Sequence, residues 1–201
     1  MTIPTKPQLE ALLQAAIFPD LERGRPKWDV PHTVLVVAAL KRLLVADSAP
    51  QLDRTVMLIA AYAHDWGYAD LFAGKESASL AEVREMKPLH MRLGSEKLAA
   101  LLESSEFEWL DRHKAARAVH LVSVHDNLPI LAAPDELLLM EADTLGALGA
   151  SPENSTFDRG SNERYLETVA GKRLPLFVSE FGKAECVRLM GDYRRKFLGK
   201  P

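Results

Sequence analysis

Cysteine is nearly absent from this 201-residue sequence, in which Cys186 stands alone. A single cysteine excludes an internal disulfide framework and paired-cysteine motifs for zinc or redox chemistry. The sequence also lacks a run of about 18 consecutive apolar residues, the length that a membrane-spanning helix needs. Pro4 and Pro7 stand near its start without an apolar run, so no secretory signal is expected. These absences predict a soluble cytoplasmic protein that does not act at a membrane.

An excess of basic charge is missing as well. The 25 Lys and Arg residues are outnumbered by 28 Asp and Glu residues, which gives a formal net charge of -3. A protein that holds a nucleic acid polymer by its phosphates needs a basic surface. No such polymer is therefore expected as a partner. A small anionic substrate has to be attracted locally, for instance by a metal ion.

Apolar residues at helical spacing are abundant along nearly the whole sequence. The hydrophobic content of 47% is enough for one sizeable core. No segment shows the alternation of a half-buried strand. We therefore predict an all-α fold, a compact helical bundle that forms a single domain over residues 1–201. The part of this domain that carries the histidine and aspartate motifs described below lies at about 29–150. Its C-terminal helices lie at about 163–199.

The apolar spacing also predicts where the helices lie. Their expected bounds are Gln8–Ile17, His32–Val45, Gln51–Asp65, Leu89–Leu102, Asp111–His125, Asp135–Leu148, Glu163–Val169 and Ser179–Phe197. Loops are expected at Leu21–Pro31, Gly67–Lys87 and Gly149–Asn162, and the second of these is expected to contain a short helical piece. Pro31 suits a first helical position, and Gly67 is expected to stop the helix that precedes it.

Histidines fall at the ends of these helices. His32 and His90 open two of them, whereas His64 and His125 close two others, and Asp65 follows His64 directly. Antiparallel neighbours in a bundle place their ends side by side, so these side chains can converge on one pocket.

Two aspartates lie in apolar surroundings. Asp65 follows the apolar run Met57–Ala63, and Asp143 lies inside the run Glu136–Leu148. An ionised carboxylate in such a place is costly unless it is paired or bound to a metal. Imidazole and carboxylate together suit divalent Mn, Fe, Co, Ni and Zn, and four His with two Asp could hold two ions through a bridging carboxylate. For a lone His-Asp pair, a capping aspartate beside a core histidine is the simpler interpretation.

Five segments, taken in order, resemble the HD-domain superfamily of metal-dependent phosphohydrolases. They are Pro31-His32, Ala63–Gly67, His90–Ser95, Val124-His125 and Glu141–Ala150. The order H, HD, H, H, D is similar to the longer, two-metal pattern of that family. The tail from Tyr165 to Phe197 resembles the C-terminal helices of the small bacterial members.

The resemblance implies a ligand set and an activity. The implied metal ligands are His32, His64, Asp65 and Asp143, with His90 and His125 for a second ion. One or two divalent ions are implied, and Mn, Fe, Co, Ni, Zn and Mg are not distinguished. Catalysis would centre on His64 and Asp65, where a metal-activated water attacks phosphorus. The implied substrate is a small phosphate ester or anhydride, such as a nucleotide.

Substrate contacts are expected near the third segment. Many family members have a lysine thought to contact the substrate where this sequence has Tyr68. Arg84, Lys87 and Arg92 flank the third segment, and we hypothesise that they hold a phosphate together with Tyr68. The alternative is that this charged stretch is merely solvated.

Other polar residues near the motifs allow more than one interpretation. His120 competes with His125, but five residues of helix turn by about 500°, so the two point in different directions. We choose His125 because it matches the family pattern. Asp29, Asp126 and Glu141 either orient imidazoles or act as ordinary caps and surface charges.

Two alternative functions remain at this point. Some members of the superfamily use the same ligand set in a mixed-valent di-iron oxygenase, and ligand identity does not separate the two chemistries. A non-catalytic regulatory HD domain is the other alternative. A homodimer is left open by the sequence.

Overall fold

The structure is helical throughout the part of the chain that it describes. It is a computed structural model that describes residues 4–46, 52–154 and 157–199, and over these ranges it contains no strand. The α-helices, named α1 to α10 in chain order, are Lys6–Leu21, Asp29–Ala46, Arg54–Ala63, Tyr68–Leu71, Leu80–Glu85, Lys87–Leu102, Arg112–Val124, Pro134–Leu148, Arg159–Thr168 and Glu180–Tyr193. The predicted all-α helical bundle is confirmed.

Polar side chains begin five of these helices. Asp53, Ser79, Asp111, Asp158 and Ser179 precede α3, α5, α7, α9 and α10, and each accepts a hydrogen bond from a backbone N–H of the first turn. These N–H groups have no partner within the helix, so the caps fix where each helix begins.

Helix α8 begins without a capping hydroxyl, because Ala133 stands at its N-cap. Glu136 compensates by reaching back to accept hydrogen bonds from the N–H groups of Ala132 and Ala133, both at 3.1 Å. His120 lies 2.8 Å from the same carboxylate. Burial raises the pKa of Glu136, but these hydrogen bonds outweigh it and lower the pKa to about 2.

Helix α3 forms the centre of the bundle. Every residue from Val56 to Ala63 is buried, and α1, α2, α7 and α8 pack around this helix. A helix that is apolar on all sides is stable only in such surroundings. Its C-terminal end therefore brings His64 and Asp65 into the interior. Within the described ranges, no helix has the length and apolar content required to cross a membrane.

Helices α2 and α8 approach each other closely at Gly146. A Cβ atom at this position would lie 2.8 Å from the backbone nitrogen of Val36, so only glycine fits. His32 lies one turn before Val36, and Asp143 lies one turn before Gly146. The close contact thus holds two of the predicted ligands on facing helices.

Several predicted helix bounds need correction. The predicted helix Gln51–Asp65 ends at Ala63, and Gln51 itself lies outside the described residues. The predicted loop Gly67–Lys87 contains α4 and α5, the second of which starts at a capping box that the weak apolar pattern did not reveal. Pro31 lies in the first turn of α2 rather than at its first position, where its missing N–H is equally harmless.

The C-terminal third also differs from the prediction. Helix α9 begins four residues before the predicted start at Glu163, because Asp158 caps it within the stretch expected to be a loop. A π-turn over Val169–Arg173 extends α9, and a second one over Arg194–Leu198 extends α10. The first of these turns brings a buried arginine to the site described below.

Candidate metal centre

The six predicted ligands meet in one buried cluster. His32 lies in the first turn of α2, and His90 lies in that of α6, whereas His64 and His125 directly follow α3 and α7. Asp65 comes next after His64. All four imidazoles are at most 3% exposed, so they are withdrawn from solvent together with the carboxylates. The sequence prediction that helix ends converge on a shared pocket is confirmed.

The first group of ligand atoms lies between α2, α3 and α8. The Nε2 atom of His32 lies 3.0 Å from Oδ1 of Asp143 and 3.2 Å from Nε2 of His64. Oδ2 of Asp65 lies 3.4 Å from Nε2 of His64 and 3.5 Å from that of His32. Four donor atoms from four residues therefore surround one small space.

The second group faces the other oxygen of Asp65. The Nε2 atoms of His90 and His125 lie 3.3 Å apart, and Oδ1 of Asp65 lies 3.5 Å and 3.6 Å from them. Each oxygen of the Asp65 carboxylate thus belongs to a different group. This is the geometry expected of a carboxylate that bridges two positions.

The spacing of these atoms fits bound metal ions. Two ligands that lie about 2.1 Å from one ion are about 3.0 to 3.4 Å apart in octahedral or tetrahedral geometry. The closest donor pairs in the two groups, at 3.0 Å and 3.3 Å, fall in this range. Neutral imidazole and carboxylate suit Mn, Fe, Co, Ni and Zn. The residues present could therefore hold a divalent ion in each group.

Backbone carbonyls orient two of the imidazoles. The Nδ1 atom of His64 lies 2.9 Å from the carbonyl oxygen of Ala61, and that of His125 lies 2.9 Å from the oxygen of Val122. A carbonyl only accepts hydrogen bonds, so Nδ1 carries the proton in both rings. Nε2 is then the atom that offers a lone pair to a metal.

Aromatic stacking orients the other two imidazoles. The ring of His32 stacks on Trp28 with centroids 5.2 Å apart, and that of His90 stacks on Tyr68 at 4.0 Å. Neither Nδ1 atom has a hydrogen-bond partner among the described residues. Each metal position therefore combines one hydrogen-bonded imidazole with one stacked imidazole.

Buried arginines hold both carboxylates. Arg25 donates to Oδ2 of Asp65 at 2.5 Å and to Asp29 at 2.5 Å, so it ties the start of α2 to the bridging carboxylate. Arg173 donates to Oδ2 of Asp143 at 2.5 Å. The sequence analysis missed both arginines. The spacing of four residues between Arg25 and Asp29 is the one signal that could have indicated such a pair.

Burial and neighbouring charges shift the pKa values of the clustered groups. Burial raises the pKa of Asp65, but the charges of His64 and Arg25 outweigh it and hold that pKa well below its usual value. Burial lowers the pKa of His64, yet the neighbouring Asp65 raises it to about 9. Burial and the charge of His125 lower the pKa of His90 to about 3.

Gly67 fixes the corner that follows the bridging carboxylate. Its backbone is helical, with φ of −66°, and α3 has already ended at Ala63, so the expectation that Gly67 stops that helix is wrong. A Cβ atom here would overlap the carbonyl oxygen of His90 and lie 2.8 Å from the nitrogen of Gly94. The glycine is required because the corner packs directly on α6.

A cavity of about 870 Å³, measured with the solvent at its mouth, opens onto the cluster. His32, Asp65 and Asp143 line its deep end, whereas the other three ligands lie behind them and do not reach it. Bound metals would therefore be open to a substrate from this side.

The predicted substrate contacts divide into two groups. Tyr68, Arg84 and Lys87 line the cavity. Arg92 does not, because it lies on the exposed side of α6 and pairs with Glu96 at 2.8 Å. The hydroxyl of Tyr68 donates to the carbonyl oxygen of Val83 at 3.2 Å, and its ring supports His90, so its observed contacts are structural.

The remaining polar candidates also have assigned partners. Asp29 pairs with Arg25, and Asp126 lies 2.6 Å from Nζ of Lys87 and accepts a hydrogen bond from Arg173 at 3.0 Å. These two aspartates thus act on cationic side chains rather than as simple surface charges.

Glu141 has a structural contact instead. Its carboxylate accepts hydrogen bonds from the backbone N–H groups of Val178, at 2.5 Å, and Ser179, at 3.0 Å, and so anchors the start of α10. His120 binds Glu136 and belongs to neither ligand group, which agrees with the choice of His125.

Comparisons of the chain with protein-family models, curated proteins and solved structures found no match. The cluster and the cavity are therefore the basis on which function is inferred.

Proposed function

We propose that this chain is a metal-dependent phosphohydrolase of the HD-domain type. The observation that supports it is the position of Asp65, whose two oxygens face two separate groups of ligands. The order of the ligands along the sequence agrees with the family resemblance. Three of these ligands line the cavity, where a substrate could reach a bound metal.

The chain and the metal would have distinct tasks. A bound divalent ion supplies a Lewis acid and lowers the pKa of a water molecule. Arg25 and Arg173 hold Asp65 and Asp143 in fixed orientations, which preserves the geometry of the ligands. In the overall reaction, water adds to phosphorus, the bond from phosphorus to the organic oxygen breaks, and that oxygen leaves as an alcohol with a proton. No oxidant or reductant is needed.

Cationic side chains around the cavity favour an anionic substrate. Lys87 and Arg84 line it, and the side chain of Lys87 is about one-third exposed while its amine pairs with Asp126 at 2.6 Å. Arg84 donates to the neutral hydroxyl of Thr168 at 3.0 Å, so its charge is available to a phosphate.

A di-iron oxygenase is the second candidate. Four imidazoles and two carboxylates around a bridging Asp65 suit iron as well as manganese or cobalt. The cationic lining applies to both candidates if the substrate is a phosphorylated compound. An experiment therefore has to distinguish phosphate hydrolysis from oxygenation.

The direct test is a screen for phosphate release from monoesters and nucleotides with Mn, Co, Ni and Mg. Asp65→Ala should abolish turnover. Asp70→Ala is the matched control, because Asp70 is about half exposed and pairs with Lys97 on the surface. Full activity in Asp65→Ala would refute the proposal. Oxygen consumption by iron-loaded protein, without phosphate release under any metal, would favour the second candidate.

A further inference from the structure

The cavity has two chemically different ends. Its deep end contains the metal ligands together with Arg25, Arg173 and Lys87, whereas Arg84 is exposed. Its outer wall is apolar and includes Trp28, Ala78, Leu80, Val83 and Phe157. A substrate that fills the cavity must therefore have a charged group at one end and an apolar group at the other.

The deep cations are already paired with carboxylates. Arg25 pairs with Asp65, and Lys87 pairs with Asp126. Arg173 pairs with both Asp126 and Asp143. An excess of positive charge at this end therefore comes mainly from bound metal. The phosphate of a substrate belongs beside the metals, and its organic group must then extend along the outer wall.

Aromatic rings connect the deep end to the outer wall. The ring of Trp28 stacks on His32, and the ring of Phe157 lies 6.2 Å from Trp28 with an angle of 32° between the planes. Ala78 and Val83 are buried in a small apolar cluster against which Phe157 packs. The wall is thus a supported apolar surface rather than a few scattered side chains.

Polar partners for a hydroxyl-rich group are scarce along this cavity. Among the described residues that line it, there is no amide side chain, and the carboxylates all lie at the deep end. The hydroxyls of Tyr68, Thr168 and Tyr193 already donate to protein oxygens, which leaves the Tyr165 hydroxyl and the Arg84 guanidinium as donors on the lining. A sugar placed here would lose hydrogen bonds to water and replace few of them, which is unfavourable.

We infer that the substrate of this site is a phosphate ester whose organic group is apolar or aromatic. The phosphate lies at the metal end, and the organic group lies against Trp28 and Phe157. This inference rests on the proposed function. The experiments below distinguish a failure of the inference from a failure of the proposed function.

The first experiment compares two esters of primary alcohols, 2-phenylethyl phosphate and glycerol 3-phosphate, on the metal-loaded protein. Burial of about 60 Å² of ring surface corresponds to a factor of about ten. We expect kcat/KM for the phenylethyl ester to be higher by at least about that factor. Equal values, or a preference for the glycerol ester, would overturn the inference.

A variant of the outer wall locates the preference. Phe157→Ala should reduce the ratio of the two kcat/KM values severalfold, and Phe157→Leu should reduce it less because it keeps an apolar side chain. Val187→Ala is the control, since Val187 is 61% exposed on α10. An unchanged ratio in Phe157→Ala would contradict the assigned position of the organic group.

Calorimetry with 2-phenylethylphosphonate and ethylphosphonate provides a readout that is independent of turnover. Tighter binding of the phenyl compound by about tenfold or more supports the position assigned to the organic group even if no ester is hydrolysed, in which case the proposed function fails. Hydrolysis of the esters together with equal binding of the two phosphonates overturns the inference and leaves the phosphohydrolase proposal standing.

Discussion

Replacement of Gly67 by alanine tests the geometry of the centre without altering any ligand. The corner after Asp65 packs directly on the backbone of α6, which carries His90. An added methyl group would overlap the His90 carbonyl oxygen and lie 2.8 Å from the nitrogen of Gly94, whereas ordinary contact begins at 3.4 Å. Both neighbours are backbone atoms of one helix, so no side chain can move aside to make room.

The overlap can be relieved only if the corner and α6 separate by well over half an ångström. Overpacking of this kind costs about 3 kcal/mol. For a chain of this size, that loss lowers Tm by about 6 to 12 °C. The same separation draws His90 away from Asp65. Because metal–ligand distances tolerate only about 0.2 Å, metal affinity should fall at least about tenfold.

Urea unfolding and metal titration of Gly67→Ala measure both effects. Gly171→Ala is the matched control, because a Cβ atom at Gly171 would meet nothing within 4 Å. We expect the control to change the free energy of unfolding by less than about 0.5 kcal/mol. Equal stability and equal metal affinity in the two variants would refute the close packing of the corner on α6.

Three further predictions concern single side chains. Arg173→Met removes the group that holds Asp143, so metal affinity should fall by about 10- to 100-fold in a titration, with partial recovery in Arg173→Lys. His125→Gln should weaken metal binding at the second group, whereas His120→Gln should leave it intact, as metal analysis can show. Glu136→Gln should cost about 1 to 2 kcal/mol in urea unfolding at pH 7. The folded pKa of Glu136 is about 2, below its usual value, so this difference should shrink as the pH falls from about 4.5 towards 2.

Each of these predictions has a contrary outcome. Unchanged affinity in Arg173→Met would mean that Asp143 keeps its orientation without the arginine. Equal metal content in the His125 and His120 variants would exclude His125 as a ligand. A stability difference for Glu136→Gln that stays constant between pH 7 and pH 2 would show that ionisation of Glu136 does not contribute.

The convergence of the histidines could be predicted from the sequence because it follows from helix periodicity, whereas the set of metal ligands was implied by the family resemblance. Histidines at helix ends converge wherever neighbouring ends converge, and α3 is apolar enough to carry His64 and Asp65 into the core. The choice of His125 over His120 followed from the family pattern, and the rotation along the helix shows only that the two side chains point in different directions. Helix periodicity is a local property of the sequence, and the convergence of helix ends that it predicts is found in the structure.

Helix periodicity does not predict contacts between residues that are far apart in the sequence. Arg25 lies in a polar connector that looks solvated, and its contact with Asp65 spans 40 residues. Arg173 reaches Asp143 from a π-turn that ordinary helical periodicity does not anticipate. The need for glycine at Gly67 arises from the packing of α6, which sequence spacing alone does not specify.

Metal content after exhaustive dialysis tests the central claim most directly. With two ligand groups that share Asp65, the unmodified protein should retain up to two divalent ions per chain. Asp65→Ala should retain almost none, while Asp70→Ala should match the unmodified protein. An unmodified protein that holds no ion when Mn, Fe, Co, Ni or Zn is supplied, or an Asp65→Ala variant that holds as much as the unmodified protein, would contradict the account.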